Sequence, residues 1–342
     1  MNIKSLLIGS AAALAAVSGA QAADAIVAAE PEPMEYVRVC DAFGTGYFYI
    51  PGTETCLKIG GYVRFQVDWS SVERAGDDFD WNARTRGLVS FDAKSDTELG
   101  TLGSKIVVRT WAESDSAASS LEIDEAYLTL GGFKAGYAYN YWDAGLSGET
   151  DELGSNRLNT IGYEYSANAF KFGAYLDELT KTQSGGLTAP YAGNDNLGIE
   201  AQLSGSFGPI TAALLGGYDI AEEDGAVRAI LTADIGPGKL GVAGIYSSGR
   251  NAYYDQAEWT IAAEYAAKIT DKLSITPGFQ YWDTISLNSR GDFVGDLNAW
   301  KAGVTLDYLL VTGLNAKVSV QYKDVDRSPE TWSGYFRLQR SF

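Results

Sequence analysis

The chain has 342 residues, 46% of them hydrophobic, with 39 Gly, 21 Tyr, 8 Trp and only 2 Cys. It contains no His, and its formal net charge of −18 excludes the basic face that nucleic-acid binding needs. Repeated apolar runs of about 20 residues are missing, which excludes a bundle of membrane helices but leaves alternating membrane strands open.

The first 22 residues, MNIKSLLIGSAAALAAVSGAQA, carry Lys4, an apolar centre and the small-x-small site Ala20-Gln21-Ala22. They read as a cleaved secretory signal peptide. A Pro/Glu/Ala tether follows at 23–35, too polar to fold alone. Cys40 and Cys56 come next, and in an exported chain an even cysteine count suggests one disulfide. Two free thiols are the alternative; a zinc site would lack half its ligands. The expected organisation is a signal peptide at 1–22, a periplasmic N-terminal segment with a Cys-closed loop at 23–56, and a β-barrel at 57–342.

From Leu57 onward two-faced strands recur to the end. LKIGGYVRFQVDW (57–69) sets Ile59, Val63, Phe65, Val67 and Trp69 against Lys58, Tyr62, Arg64, Gln66 and Asp68. The same alternation runs through 83–93, 168–177, 197–207, 259–269, 300–308 and 314–322. Short connectors at 208–210, 236–239, 270–272 and 311–313 exchange with longer polar ones at 180–196, 219–226, 247–257 and 284–297. A sandwich has no reason for that regularity, whereas a membrane barrel has short turns on one rim and long loops on the other. The chain closes on WSGYFRLQRSF, with Phe336, Leu338 and the terminal Phe342 on one face. Phe342 is therefore an expected assembly signal. Arg340 breaks that face near the interface, where an arginine can snorkel. The fold expected is all-β, a transmembrane antiparallel β-barrel of about 16 strands, with apolar faces toward lipid and Arg64 toward water. Small inward residues such as Gly173, Gly198, Gly303 and Ser319 agree with an open interior.

Three stretches carry a resemblance: VCDAFGTGYFYIPGTETCLKIGGYVRFQVDW (39–69), EAYLTLGGFKAGYAYNYWD (125–143) and GYFRLQRSF (334–342). In these the chain resembles the outer-membrane porins of alphaproteobacteria, over about residues 36–342. The resemblance implies sixteen strands, a homotrimer, a bacterial outer-membrane location, and a third loop folded into each pore as a constriction. It further implies passive diffusion of small hydrophilic solutes and ions, with outer-membrane lipid and lipopolysaccharide as surroundings and no cofactor. The long loops at 180–196 and 284–297 match no motif.

The segment that fits the inserted loop is DAGLSGETDELGSNRLNT (143–160), with Asp143, Glu149, Asp151 and Glu152. Water-facing sides of the first strands supply Arg64, Arg84, Arg86, Lys105 and Arg109 as the opposite, basic wall. Acid loop against basic wall gives either a transverse field that selects solutes by size and charge, or a salt-bridge network that pins the loop. The two readings can coexist. A hydrolase of the usual kind needs a base beside its nucleophile, and no His is present. The expectation is therefore a channel and no enzyme; a substrate-selective (for example sugar) channel, or an anchor or adhesin barrel, are the alternatives.

Overall fold

A computed structural model describes residues 38–71, 81–113, 121–155, 157–179 and 196–342. The expected signal peptide and tether, and the loop at 180–195, lie outside the described residues.

A two-residue strand, β1 (Phe48–Tyr49), precedes sixteen longer ones, β2 (Cys56–Ser70) to β17 (Thr331–Ser341). Each of the sixteen pairs antiparallel with its sequence neighbours, and β17 returns to β2 with Ser333 opposite Ser70 and Ser341 opposite Tyr62. That last pairing closes the barrel and abolishes its edges. The terminal residue locks it, because Phe342 N donates to Gly61 O at 3.0 Å and Gly61 N donates to Phe342 O at 3.2 Å.

Period-two alternation decides which face is which. Ile59, Val63 and Phe65 of β2 stand exposed on the outside, as do Leu203, Leu214, Leu231 and Ile261 on the strands opposite in sequence order. Such an outward apolar band is the surface that lipid covers. Aromatic side chains gather at its margins. Phe279, Trp300, Tyr322 and Trp332 form a chain of rings near the long-loop rim, with successive centroids 6.2, 5.0 and 5.0 Å apart. Phe170 and Phe207 meet edge to face, 5.5 Å apart, beside the short-turn rim. These are the two girdles of a membrane barrel, one at each water interface. The short turns fold where glycine takes a left-handed φ, as at Gly208 (63°) and Gly313 (81°). Arg340 turns its guanidinium to the Gly313 carbonyl at that rim, 3.5 Å away.

Cys40 and Cys56 are disulfide-bonded, both buried with Tyr47 in a small cluster at the base of β2. The larger apolar core is inside the barrel. Trp142, Leu153, Tyr253, Tyr254 and Trp282 belong to it, and loop residues meet inward strand residues such as Leu215 and Ile245.

Candidate functional site

The site is built by the connection between β6 (Phe133–Tyr139) and β7 (Arg157–Ala167), here called L3. It begins at Asn140, three residues before the stretch expected from sequence, and ends where Arg157 opens β7. Residues 157–160 are thus strand and not loop, with Leu158 buried inward against the core. Asn140 caps a single 3-10 turn, Tyr141–Asp143, by accepting the Trp142 N–H at 3.1 Å. The turn drives Trp142 into the barrel, where its ring stacks on Tyr254 and tilts against Tyr253.

Buried polar side chains of the wall then hold the L3 backbone. Arg228 of β11 (Asp224–Ile235) donates to the carbonyls of Tyr141 at 2.6 Å, Trp142 at 2.8 Å and Leu153 at 3.1 Å, bridging both limbs of the loop. Glu264 of β13 (Trp259–Lys268) accepts three N–H groups at the tip: Gly148, Thr150 at 2.9 Å and Asp151 at 3.1 Å. Gln280 of β14 (Leu273–Asp283) accepts from Glu152 N at 2.6 Å. Backbone taken from water is thereby bonded to wall groups that are themselves buried.

The L3 acids divide in their partners. Glu152 lies 3.0 Å from Lys301 and 2.8 Å from Lys323; Glu149 lies 2.8 Å from Lys317 and 3.9 Å from Arg337. These bases come from β15 (Ala299–Val311), β16 (Leu314–Val325) and β17. Burial works to raise both glutamates, but the lysine contacts outweigh it and hold both carboxyls below their ordinary range. Asp143 stays within the loop, accepting from Ser155 Oγ at 2.6 Å. Asp151 accepts from Leu146 N at 3.1 Å, and burial together with the adjacent Glu264 carboxylate pushes its pKa up to about 6.

The five bases expected opposite the acids find other partners. Arg84 pairs with Asp68 at 2.9 Å, Arg86 with Asp124 at 3.9 Å, Lys105 with Glu125 at 3.1 Å, and Arg109 with Asp124 at 2.6 Å and with Glu122. Arg64 donates to neutral Gln339 at 2.8 Å, and β2 sets it directly across from Arg86 of β3 (Trp81–Thr97). Tyr62 and Trp111 support this row of guanidiniums, with Arg64 4.7 Å from the Tyr62 ring and Arg84 4.4 Å from Trp111. The ion pairs of L3 therefore run to β15–β17, which sequence reasoning did not name. Lys301 of β15, and Lys317 and Lys323 on one face of β16, were the available signal.

Sequence reasoning also missed a second inward loop, L6, at 248–258. Asn251 ties it by donating to Ser247 Oγ, Gly249 O and Tyr254 O and accepting from Tyr253 and Tyr254 N–H. The tyrosines then reach the wall, Tyr253 to Asp177 at 2.8 Å, while Trp282 donates to Tyr254 at 3.0 Å. L6 and L3 together explain the small inward residues differently from an open lumen. A Cβ at Gly217 would stand 2.6 Å from the Tyr253 ring, and one at Gly278 would stand 2.6 Å from Thr150. Gly173 and Gly198 face Tyr141 and Tyr253 in the same way, Gly303 is covered by Gln321, and Ser319 is bonded to Gln321 at 2.9 Å. Glycines of the wall make seats for the loops, so the open passage is only part of the barrel's cross-section.

Comparison with known proteins agrees with this geometry. A family profile described as "Porin subfamily" matches residues 24–336. Outer membrane protein IIIA of Rhizobium leguminosarum bv. viciae is 48% identical, over 98% of this chain and 93% of that protein. Porin Omp2a of Brucella suis biovar 1 is 34% identical over the full length of both. Among solved structures, the outer membrane channel DcaP of Acinetobacter baumannii superposes with a TM-score of 0.65 at 14% identity, covering 86% of this chain and 99% of its own. A mutant Rhodopseudomonas blastica porin gives 0.58 at 13% identity, covering 84% and 100%.

Proposed function

The chain belongs to the Porin subfamily, outer-membrane channels through which small hydrophilic solutes diffuse, and from that premise we propose that L3 and the arginine row of β2 and β3 form its selective constriction. The observation that carries the reading is the Arg64–Arg86 pair. Like charges directly opposite on neighbouring strands repel, and Arg64 has a neutral glutamine as its hydrogen-bond partner. A passing anion relieves that repulsion. Glu149 and Glu152 line the other side and are already compensated by the lysines that fix the loop. Field and pinning are then two effects of one network, and the passage favours anions although the whole chain carries −18. Charges in a narrow, partly dehydrated passage govern entry, while rim charges beyond about 8 Å are screened at physiological salt. No chemical step is part of this function; Lys105 and Arg109 act as supports of the lumen wall, and Asp143 as a support within L3. The working assembly is a homotrimer, embedded in outer-membrane lipid with lipopolysaccharide at its outer rim.

Reversal potential in a tenfold KCl gradient tests the assignment. Replacing Arg64, Arg84 and Arg86 by Gln is expected to shift it toward cations, and Glu149→Gln with Glu152→Gln toward anions. If neither set moves it at low salt, these residues do not form the constriction. Chemical cross-linking of the purified protein checks the trimer.

A further inference from the structure

Beneath the base of L3, on the short-turn side, the lumen wall of β5 (Leu121–Leu130) to β9 (Asn196–Phe207) and the first residues of L3 line a half-open pocket of about 260 Å³. That is somewhat below the range of drug-sized sites and suits a solute of one ring. Tyr127, Tyr141 and Tyr175 give it phenol walls. Two of its lining residues carry a buried polar atom with no partner among the described residues: Asn140 Nδ2, a donor, and Glu200 Oε2, an acceptor.

Neither side chain is free to turn away. Asn140 Oδ1 is held by the Trp142 N–H, and Glu200 Oε1 accepts from Tyr141 N at 3.4 Å. The orphan donor and the orphan acceptor also do not bond each other. Each left alone costs about 1–3 kcal/mol, so a group that satisfies both has a ready gain. Lys134 adds an ammonium 4.8 Å from the Tyr127 ring beside Glu200, and Glu164 is paired with Lys171 at 2.7 Å, so no one sign of charge is favoured there. A hydroxyl donates and accepts through one atom, which neither a carboxylate nor an ammonium does.

We infer that this pocket is a subsite for a neutral polyhydroxylated solute of one-ring size, such as a hexose, whose hydroxyls bridge Asn140 Nδ2 and Glu200 Oε2. The inference rests on the channel reading and names a solute class for it. Bound briefly there, the sugar is held beside the passage as it leaves the constriction.

Two near-isosteric substitutions isolate the donor and the acceptor. Asn140→Asp keeps an oxygen for the Trp142 N–H and loses the donor; Glu200→Gln keeps an oxygen for Tyr141 N and replaces the acceptor with a donor. The double variant again presents one donor and one acceptor, exchanged in place, at the wild-type net charge. The full chain is reconstituted in planar bilayers, and D-glucose-dependent current noise is read against each variant's own salt current. Wild type should show glucose noise well above that given by polyethylene glycol of equal size. Each single variant should shorten the glucose dwell time about three- to tenfold, as expected for one hydrogen bond, and the double variant should recover to within about twofold of wild type. Glucose noise no greater than that of the polymer, or a double variant no better than the singles, overturns the subsite. Glucose binding seen by saturation-transfer NMR in a protein that passes no salt current would instead count against the channel reading and for the pocket.

Discussion

Replacing Glu264 by Gln strikes L3 where one side chain holds three backbone N–H groups. The carboxylate is buried, and its bonds to Gly148, Thr150 and Asp151 are charge-assisted. Glutamine keeps a single oxygen. If that oxygen stays with Thr150 and Asp151, both bonds fall from the charged to the neutral range, about 1 kcal/mol each, and the Gly148 N–H meets an amide donor, at about 2 kcal/mol. Relief of the repulsion on Asp151 offsets about 1 kcal/mol of this. A net loss of about 3 kcal/mol shifts the balance between seated and released L3 by about a hundredfold. In single-channel recordings the variant should show brief closures and conductance steps far more often than wild type, at equal expression and equal heat-modifiable migration on gels. Closure frequency within threefold of wild type would show that Glu264 does not anchor the tip, and that Arg228 and the lysine pairs suffice.

Gly217 and its neighbour Gly216 should part company: Gly217→Ala displaces Tyr253 and loosens L6, read as a changed conductance, whereas a Cβ at Gly216 meets nothing within 4 Å and Gly216→Ala should be silent. Phe342→Ala should reduce the yield of folded protein on heat-modifiable gels more than it alters conductance, because its ring covers Gly61 at the barrel seam and alanine leaves that contact empty while keeping the backbone bonds. Asp151, with its raised pKa, helps L3 while protonated, and that help is lost as pH rises through about 6. Closures should therefore be rarer at pH 5 than at pH 7.5, and Asp151→Asn should flatten the profile. Reducing the Cys40–Cys56 disulfide should free the N-terminal segment, seen by limited proteolysis, while the strands stay closed through β17 and β2.

The barrel was legible because lipid enforces a strict rule on one face. In 57–69 every second residue is apolar or glycine, and each short turn falls where the strands require it. The site was legible only in outline, since that rule says nothing about the inside. Leu158, Leu215 and Ile245 point inward and are apolar, which breaks the alternation wherever a loop rather than water fills the lumen. The start of β7 reads as loop because Arg157, Asn159 and Thr160 continue the polar stretch of L3 around that one leucine. Arg228 and Glu264 look like ordinary water-facing charges in the sequence; only the arrival of L3 buries them. L6 left one hint, two adjacent tyrosines in a connector that would otherwise have no use for them.

The partners of L3 have a bearing on the order in which the molecule is made. Lys317 and Lys323 lie 168 and 171 residues after the glutamates they hold, and Glu264 lies 116 residues after Gly148. Such distant pairings are among the last to form in a chain. While strands are still being added, the loop has nothing to grip. Its seating on β15–β17 reports that the wall is nearly complete, and an unfinished barrel is marked by an untethered L3.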